Sequence, residues 1–387
     1  MNSDNTILLD QPREVDVVSI ERELTTLWKK AADPTDEESS PPVTRACSLN
    51  FVVVAESEHV VEALAGTIAE VTVEHPSRTF LIVADRREAT SSTSAWISAR
   101  CSIPVPGGKQ VCCEQINLVA KGRDADKIPS IVTSLLVSDV PTVLLWKVKV
   151  ERNDGVLISL LHVADRVLID SSEERDPIHA FSVWGEFIKE NKGGLAFGDL
   201  SWAHINRWRS MIAQAFQSVD MRKHLDSLRS CDIEFSTTKE PRHSGLAQSL
   251  LMVGWIAHRL GWTPVRPLTA LSDGGYSATL RVDERAITVR ISKSNVSGIA
   301  AGTIETVRLA SSDGVIVNLQ RAPTGNAVHL SVSDGGSVQQ GMLLLNEQDE
   351  ASLLARELEE LNRDTLFEES VACVLSLMKE PRDANAP

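Results

Sequence analysis

The sequence predicts an α/β N-terminal domain with a mixed sheet, followed by an α+β C-terminal domain with a mainly antiparallel sheet. Three observations carry this. Twice in the first half a helical stretch is flanked by two apolar runs, after residue 220 the runs alternate instead, and 387 residues fill two or three domains at roughly 150 each. The expected organisation is an N-terminal amphipathic helix and acidic linker over 1–46, the α/β domain over 47–220 and the α+β domain over 221–387.

Val17, Ile20, Leu24, Leu27 and Trp28 recur at helical spacing, and the acidic, proline-bearing stretch from Asp33 to Pro42 that follows has nothing to bury. The apolar run Leu49 to Ala55, an N-cap at Ser57, a helix with Val61, Leu64, Ala65 and Ile68 on one face, and the run Phe80 to Ala84 form a β-α-β unit. Its strands should be parallel with a right-handed crossover. Ile97, Ala99, Cys101 and Ile103 then alternate with polar residues, and past a Pro-Gly-Gly turn at 106–108 a partner strand runs from Val111 to Val119. A helix from about Asp126 to Ser138 precedes a second unit: Thr142 to Trp146, a helix around Val156 to Val163, and Arg166 to Asp170. Asp176-Pro177 opens one further helix and Ser201 another, the latter reaching about Ser218.

Beyond residue 220 the pattern is a strand at Asp232 to Thr237, a helix at Leu246 to Leu260, and alternating strands at 276–282, 286–292, 304–310, 315–320 and 327–332. A helical stretch from Asp349 to Met378 breaks near Asn362.

Composition narrows the function. Thirty-nine basic against 53 acidic residues leave a net charge of −14, without the basic footprint that phosphate backbones demand, so nucleic acid is not an expected partner. The Met1-Asn2-Ser3-Asp4 start lacks signal-peptide character, and the most apolar stretch, Leu246 to Leu260, is interrupted by Gln248, Ser249, His258 and Arg259. No membrane association and a cytoplasmic location are expected. Six scattered cysteines without C-x-x-C spacing suit a reducing compartment and give no metal site, and nine histidines add none.

No phosphate loop, dinucleotide fingerprint, nucleophile elbow or zinc-protease motif occurs, and no cofactor is implied. The glycine pairs at 107–108, 193–194, 274–275 and 335–336 lie where turns belong rather than between a strand and a helix. Ligands of open α/β sheets sit beyond the carboxyl ends of the strands, which points to Glu56-Ser57, Asp85-Arg86-Arg87 and Asp170-Ser171-Ser172. The arginine pair and aspartates there would suit a sugar phosphate, as an enzyme or sensor; capping and loop duty is the plainer reading.

Several segments, in order, resemble the glucose-6-phosphate dehydrogenase assembly protein family, often called OpcA. They are His75-Pro76-Ser77-Arg78 before a strand, Asp139-Val140-Pro141 leading to Leu144-Leu145-Trp146, Asp165 to Ser171, Asp199-Leu200-Ser201-Trp202 with Trp208-Arg209, and Glu357-Leu358 through Arg363-Asp364. The resemblance covers roughly 15 to 375, with departures at Lys147, where the family often has a second tryptophan, and at His204, where arginine is common. The resemblance implies a two-domain protein without catalytic role that binds glucose-6-phosphate dehydrogenase, promotes its active oligomer and tunes its kinetics. His75, Ser77, Arg78, Asp199, Trp202, Trp208 and Arg209 are then partner-binding or structural candidates. A scaffold for some other enzyme is the third reading.

Two geometric expectations are sharp. A hairpin loop over 104–110 pairs 103 with 111 and sets Cys101 opposite Cys113, with Cys112 on the other face. Those two cysteines are a candidate redox pair, because photosynthetic members of the family are linked to redox control; two buried small hydrophobes is the plainer reading. On a helix from Ser201, Arg209 falls within the apolar stripe of Trp202, Ile205, Trp208, Ile212 and Phe216, so its guanidinium should be paired, with Asp199 or Asp170 as the expected carboxylate.

Overall fold

The computed structural model describes residues 6–8, 13–32, 43–102, 110–191, 193–236, 245–294, 302–334, 337–345 and 350–379. The acidic linker at 33–42, the Pro-Gly-Gly turn, Thr237 and the glycine pair at 335–336 lie outside them. The chain forms two compact units, the first of 1–169, 193–198 and 349–363, the second of 170–192, 199–348 and 364–387. Both units are discontinuous, unlike the three spans expected: 349–363 returns to the first unit, and 170–192 and 199–220 belong to the second.

The first unit is built on a ten-stranded sheet. Its strands are β1 (Thr6–Leu8), β2 (Arg13–Val15), β3 (Val43–Arg45), β4 (Leu49–Ala55), β5 (Ser77–Asp85), β6 (Ser92–Ser102), β7 (Gln110–Lys121), β8 (Thr142–Lys147), β9 (Arg166–Ile169) and β10 (Ala196–Asp199). The order is β1-β6-β7-β5-β4-β8-β9-β10, with β2 also on β6 and β3 on β7. β7, β5, β4, β8 and β9 run parallel and β6 antiparallel, so the sheet is mixed as expected. Helices α1 (Ile20–Ala32), α2 (Glu58–Glu74), α3 (Ile128–Leu135) and α4 (Gly155–Leu161) occupy the predicted places. α1 buries Ile20, Leu24 and Leu27 against the unit rather than standing apart on a linker.

The hairpin register differs from expectation by one residue. Ser102 pairs with Val111, Cys101 with Cys112 and Arg100 with Cys113, and Cys101 and Cys112 form a disulfide with their α-carbons 4.0 Å apart. Cys113 is a free, buried thiol whose Sγ lies 3.8 Å from the Thr72 carbonyl oxygen of α2. Strand side chains have a period of two, so a one-residue change in loop length exchanges which cysteine shares a face with Cys101.

In the second unit come α5 (Pro177–Glu190), α6 (Leu200–His204), α7 (Asn206–Ala215) and α8 (Val219–Arg222). They are followed by β11 (Leu228–Ser236), α9 (Gly245–Leu260), β12 (Thr263–Ala270), β13 (Tyr276–Val282), β14 (Arg285–Ser294), β15 (Ile304–Ser311), β16 (Ile316–Arg321), β17 (Ala327–Asp334) and β18 (Ser337–Leu344). The predicted C-terminal break is real: α10 (Glu350–Glu359) packs on α2 in the first unit, and α11 (Thr365–Met378) belongs to the second. The eight strands run in the order β12-β13-β14-β11-β15-β16-β17-β18, all antiparallel except β11 beside β14. α9 is almost wholly buried between strands and α11, and Gly254 permits the approach: a β-carbon there would sit 2.4 Å from the Ser370 carbonyl oxygen.

Candidate functional site

At the carboxyl ends of β4, β5 and β8 the expected arginines are present but engaged. Arg86 reaches Asp126 at 2.9 Å and Asp154 at 3.0 Å, and Asp154 at the same time caps α4 through the amides of Val156 and Leu157. Arg87 donates to Asp85 at 3.3 Å and lies 3.9 Å from Glu56, while Lys121 and Lys127 face Glu58 and Asp124. The Arg87 amide, bonded to Asp85, holds that carboxyl below its usual range. Each of these four cations therefore has a carboxylate within 4 Å, and a phosphate would have to displace it. Ser57 starts α2 without a side-chain cap, and Asp170 accepts from the Ser172 amide and hydroxyl.

The amino edge holds the strongest buried electrostatics. Arg78, 4 % exposed on β5, donates to Glu114 Oε2 at 2.6 Å, to Glu21 Oε1 of α1 at 2.5 Å and to the Leu135 carbonyl at 2.5 Å. Glu114, 3 % exposed, also takes Arg45 of β3 at 2.8 Å and the Trp28 indole N–H at 2.5 Å. One carboxylate thus ties α1, β3 and β5 to β7. Nothing in the local pattern named Glu114 as a hub; its only signal was a charge in the middle of an apolar strand. Lys147, which departs from the family pattern, pairs with Glu350 at 2.7 Å, and buried Arg166 pairs with Glu357 at 2.5 Å, both within the first unit.

Of the candidates in the second unit, Asp199, Trp202 and Trp208 are buried and Arg209 is half-buried. The helix expected from Ser201 starts at Leu200 with Asp199 as its N-cap, and the Asp199 Oδ1 accepts from the Ser201 amide at 2.8 Å and the Ser171 amide at 3.3 Å. Full burial, with Asp170 nearby, pushes its carboxyl up to about 7 despite those bonds. A helix break at Ile205 separates α6 from α7, so the single helix expected from Ser201 to Ser218 is two. Across the break Arg209 stacks its guanidinium 3.3 Å from the centre of the Trp202 ring and donates weakly to the Trp202 carbonyl and to Asn206. The expected Asp199 role is corrected: that carboxyl is committed to backbone amides, and one pushed toward neutrality is a poor counter-ion. Trp202, 3 % exposed, donates to Asp364, the N-cap of α11; Trp208, 2 % exposed, has Arg321 above its ring at 5.6 Å. Ser77 is buried and His75 half-buried at the end of α2. The seven candidates are divided between the two units, His75, Ser77 and Arg78 in the first and Asp199, Trp202, Trp208 and Arg209 in the second.

The family description "Glucose-6-phosphate dehydrogenase subunit N-terminal domain" matches residues 68–185, and its C-terminal counterpart matches 195–371. Relatives include the OxPP cycle protein OpcA of Nostoc punctiforme, 24% identical over 80% of this chain and 67% of its own length. The Synechocystis protein of that name is 25% identical over 82% and 66%. The chain thus spans about two thirds of the length of these relatives. Among solved structures, a myo-inositol dehydrogenase from Lactobacillus casei is 8% identical with a TM-score of 0.45, covering 86% of this chain and 94% of that one. A likeness at that level carries no argument about activity. No described helix is long and apolar enough to cross a membrane. The two domain matches, in order and together reaching from 68 to 371, show that the chain belongs to the OpcA family of glucose-6-phosphate dehydrogenase assembly proteins.

Proposed function

We propose that the chain is a non-catalytic, cytoplasmic activator that binds glucose-6-phosphate dehydrogenase and promotes its active oligomer. The observation that carries this is the pair of domain matches across most of the chain. The carboxyl edge of the first sheet supports it: Arg86 and Arg87, the groups a sugar-phosphate enzyme would use, are held by Asp126, Asp154, Asp85 and Glu56. Binding a phosphate there would strand those carboxylates.

The test is a dehydrogenase assay with the enzyme from the same organism, with and without the purified chain, read beside light scattering of the mixture. Faster turnover or a lower apparent KM, together with a heavier dehydrogenase species, is the expected result. Turnover of glucose 6-phosphate or its lactone product by the chain alone would overturn it.

A further inference from the structure

Among the described residues, helices cover the eight-stranded sheet of the second unit on one face only. On the other, Thr288 and Arg290 of β14, Glu234 of β11, Arg308 of β15 and Gln320 of β16 are exposed, while the alternate residues Val289, Ile233, Val307 and Leu319 are buried. We infer that this open face is the interface between two copies of the chain, packed sheet against sheet about a two-fold axis.

The charges make the face complementary to itself. In the strand order, β11 and β15 are the fourth and fifth of eight, with four strands on either side of the line between them. Asp232 on β11 and Arg308 on β15 are direct register partners on this face, and Arg290 flanks Asp232 from β14. Among the described residues neither Asp232 nor Arg308 forms an ion pair in its own chain; Asp232 accepts only from the Ser230 hydroxyl, and Arg290 is held by Asp273 at 2.6 Å. A two-fold axis running along the strands between β11 and β15 lays β11 of one copy over β15 of the other at the same height. Asp232 then meets the second copy's arginine and Arg308 its aspartate, so one self-complementary patch forms two ion pairs.

Size and texture agree. Eight strands about 4.8 Å apart, each presenting about three outward side chains about 6.7 Å apart, make a face of about 800 Å2, the per-partner area of a standard interface. The side chains around the centre, Ser230, Thr288, Thr306 and Ala310, are short enough for sheets about 10 Å apart. At the rim, Val338 and Met342 of β18 are 61% and 63% exposed, apolar surface that such packing removes from water.

The experiment is sedimentation of the full chain at micromolar concentration, alone and as Asp232→Arg, Arg308→Asp, and an equimolar mixture of the two variants. The unmodified chain is expected as a dimer. Each single variant places like charges opposite one another twice and should dissociate at least about tenfold more readily. In the mixed pair both contacts become opposite-signed again, so dimers should reform; no effect inside one chain produces that result. A monomeric unmodified chain, or variants that dimerise as well as it does, overturns the inference. So does a mixture that stays monomeric while each variant melts normally. If the unmodified chain is monomeric and the variants lose dehydrogenase activation while melting normally, the face belongs to the dehydrogenase instead.

Discussion

The two sheets of this protein differ in how many faces they bury, and that difference separates where stability resides from where contact surface is available. β4, at the centre of the first sheet, is buried along its whole length, and the charges buried among these strands include closed pairs such as Arg78 with Glu114. β14 of the second sheet alternates between exposed and buried over 286–291, and among the described residues Arg308 on the same open face has no ion pair. Parallel strands joined by crossover helices are covered on both sides, whereas antiparallel strands joined by hairpins leave one side to water or to a partner. A charge in the first sheet therefore bears on folding, and one on the open face of the second bears on association.

The comparison breaks first at Arg78. Arg78→Ala leaves Glu114 buried among fewer cations and frees Glu21, and should cost about 3 to 5 kcal/mol in denaturant melts; a loss no larger than that of an open-face substitution would erase the distinction. Asp199 sharpens it through pH. Its carboxyl rises from 3.8 unfolded to about 7 folded, so between those values the folded state retains a proton that the unfolded state releases. Stability should fall by roughly 2 to 4 kcal/mol as pH rises from about 4 to about 7 and then level off. Asp199→Asn should flatten that slope, and an unchanged profile would show the carboxyl to be ordinary.

Cys101→Ser opens a covalent loop with a sequence separation of 11, and the chain-entropy argument puts the loss at about 3 kcal/mol without reductant. In excess dithiol the variant and the unmodified chain should melt together; if they differ as much there, packing rather than the bond explains the effect. Arg209→Ala removes the cation stacked on Trp202, and about 1 kcal/mol is expected from the loss of that contact. A loss of several would mean the guanidinium also neutralises a buried carboxylate. Smallest of all, Arg308→Ser should change the melt of a dissociated chain by less than about 0.5 kcal/mol.

Element types and order were legible along the chain because they follow from short-range periodicity: the apolar run at 49–55, the alternation at 286–292 and the break near Asn362 each became the element expected. Short pairings without such a signal were not, among them β1, β2, β3 and β18, whose three or eight residues take their conformation from the strand beside them. The candidate residues were legible as unusual but not as located: the sequence marked Ser77, Arg78, Trp202 and Trp208, and only packing shows that they are buried.

What the amino-acid sequence determined by itself was the class of each half, the family, and the acidic net charge of −14. Tertiary structure alone decided that Cys101 meets Cys112 and not Cys113, that Glu114 gathers Arg45, Arg78 and Trp28, and that 349–363 returns to the first unit. The physical reason is range. Periodicity is a property of neighbours in sequence, whereas register, ion-pair choice and domain membership are fixed by contacts between residues tens to hundreds of positions apart, where one residue of loop turns a side chain to the opposite face.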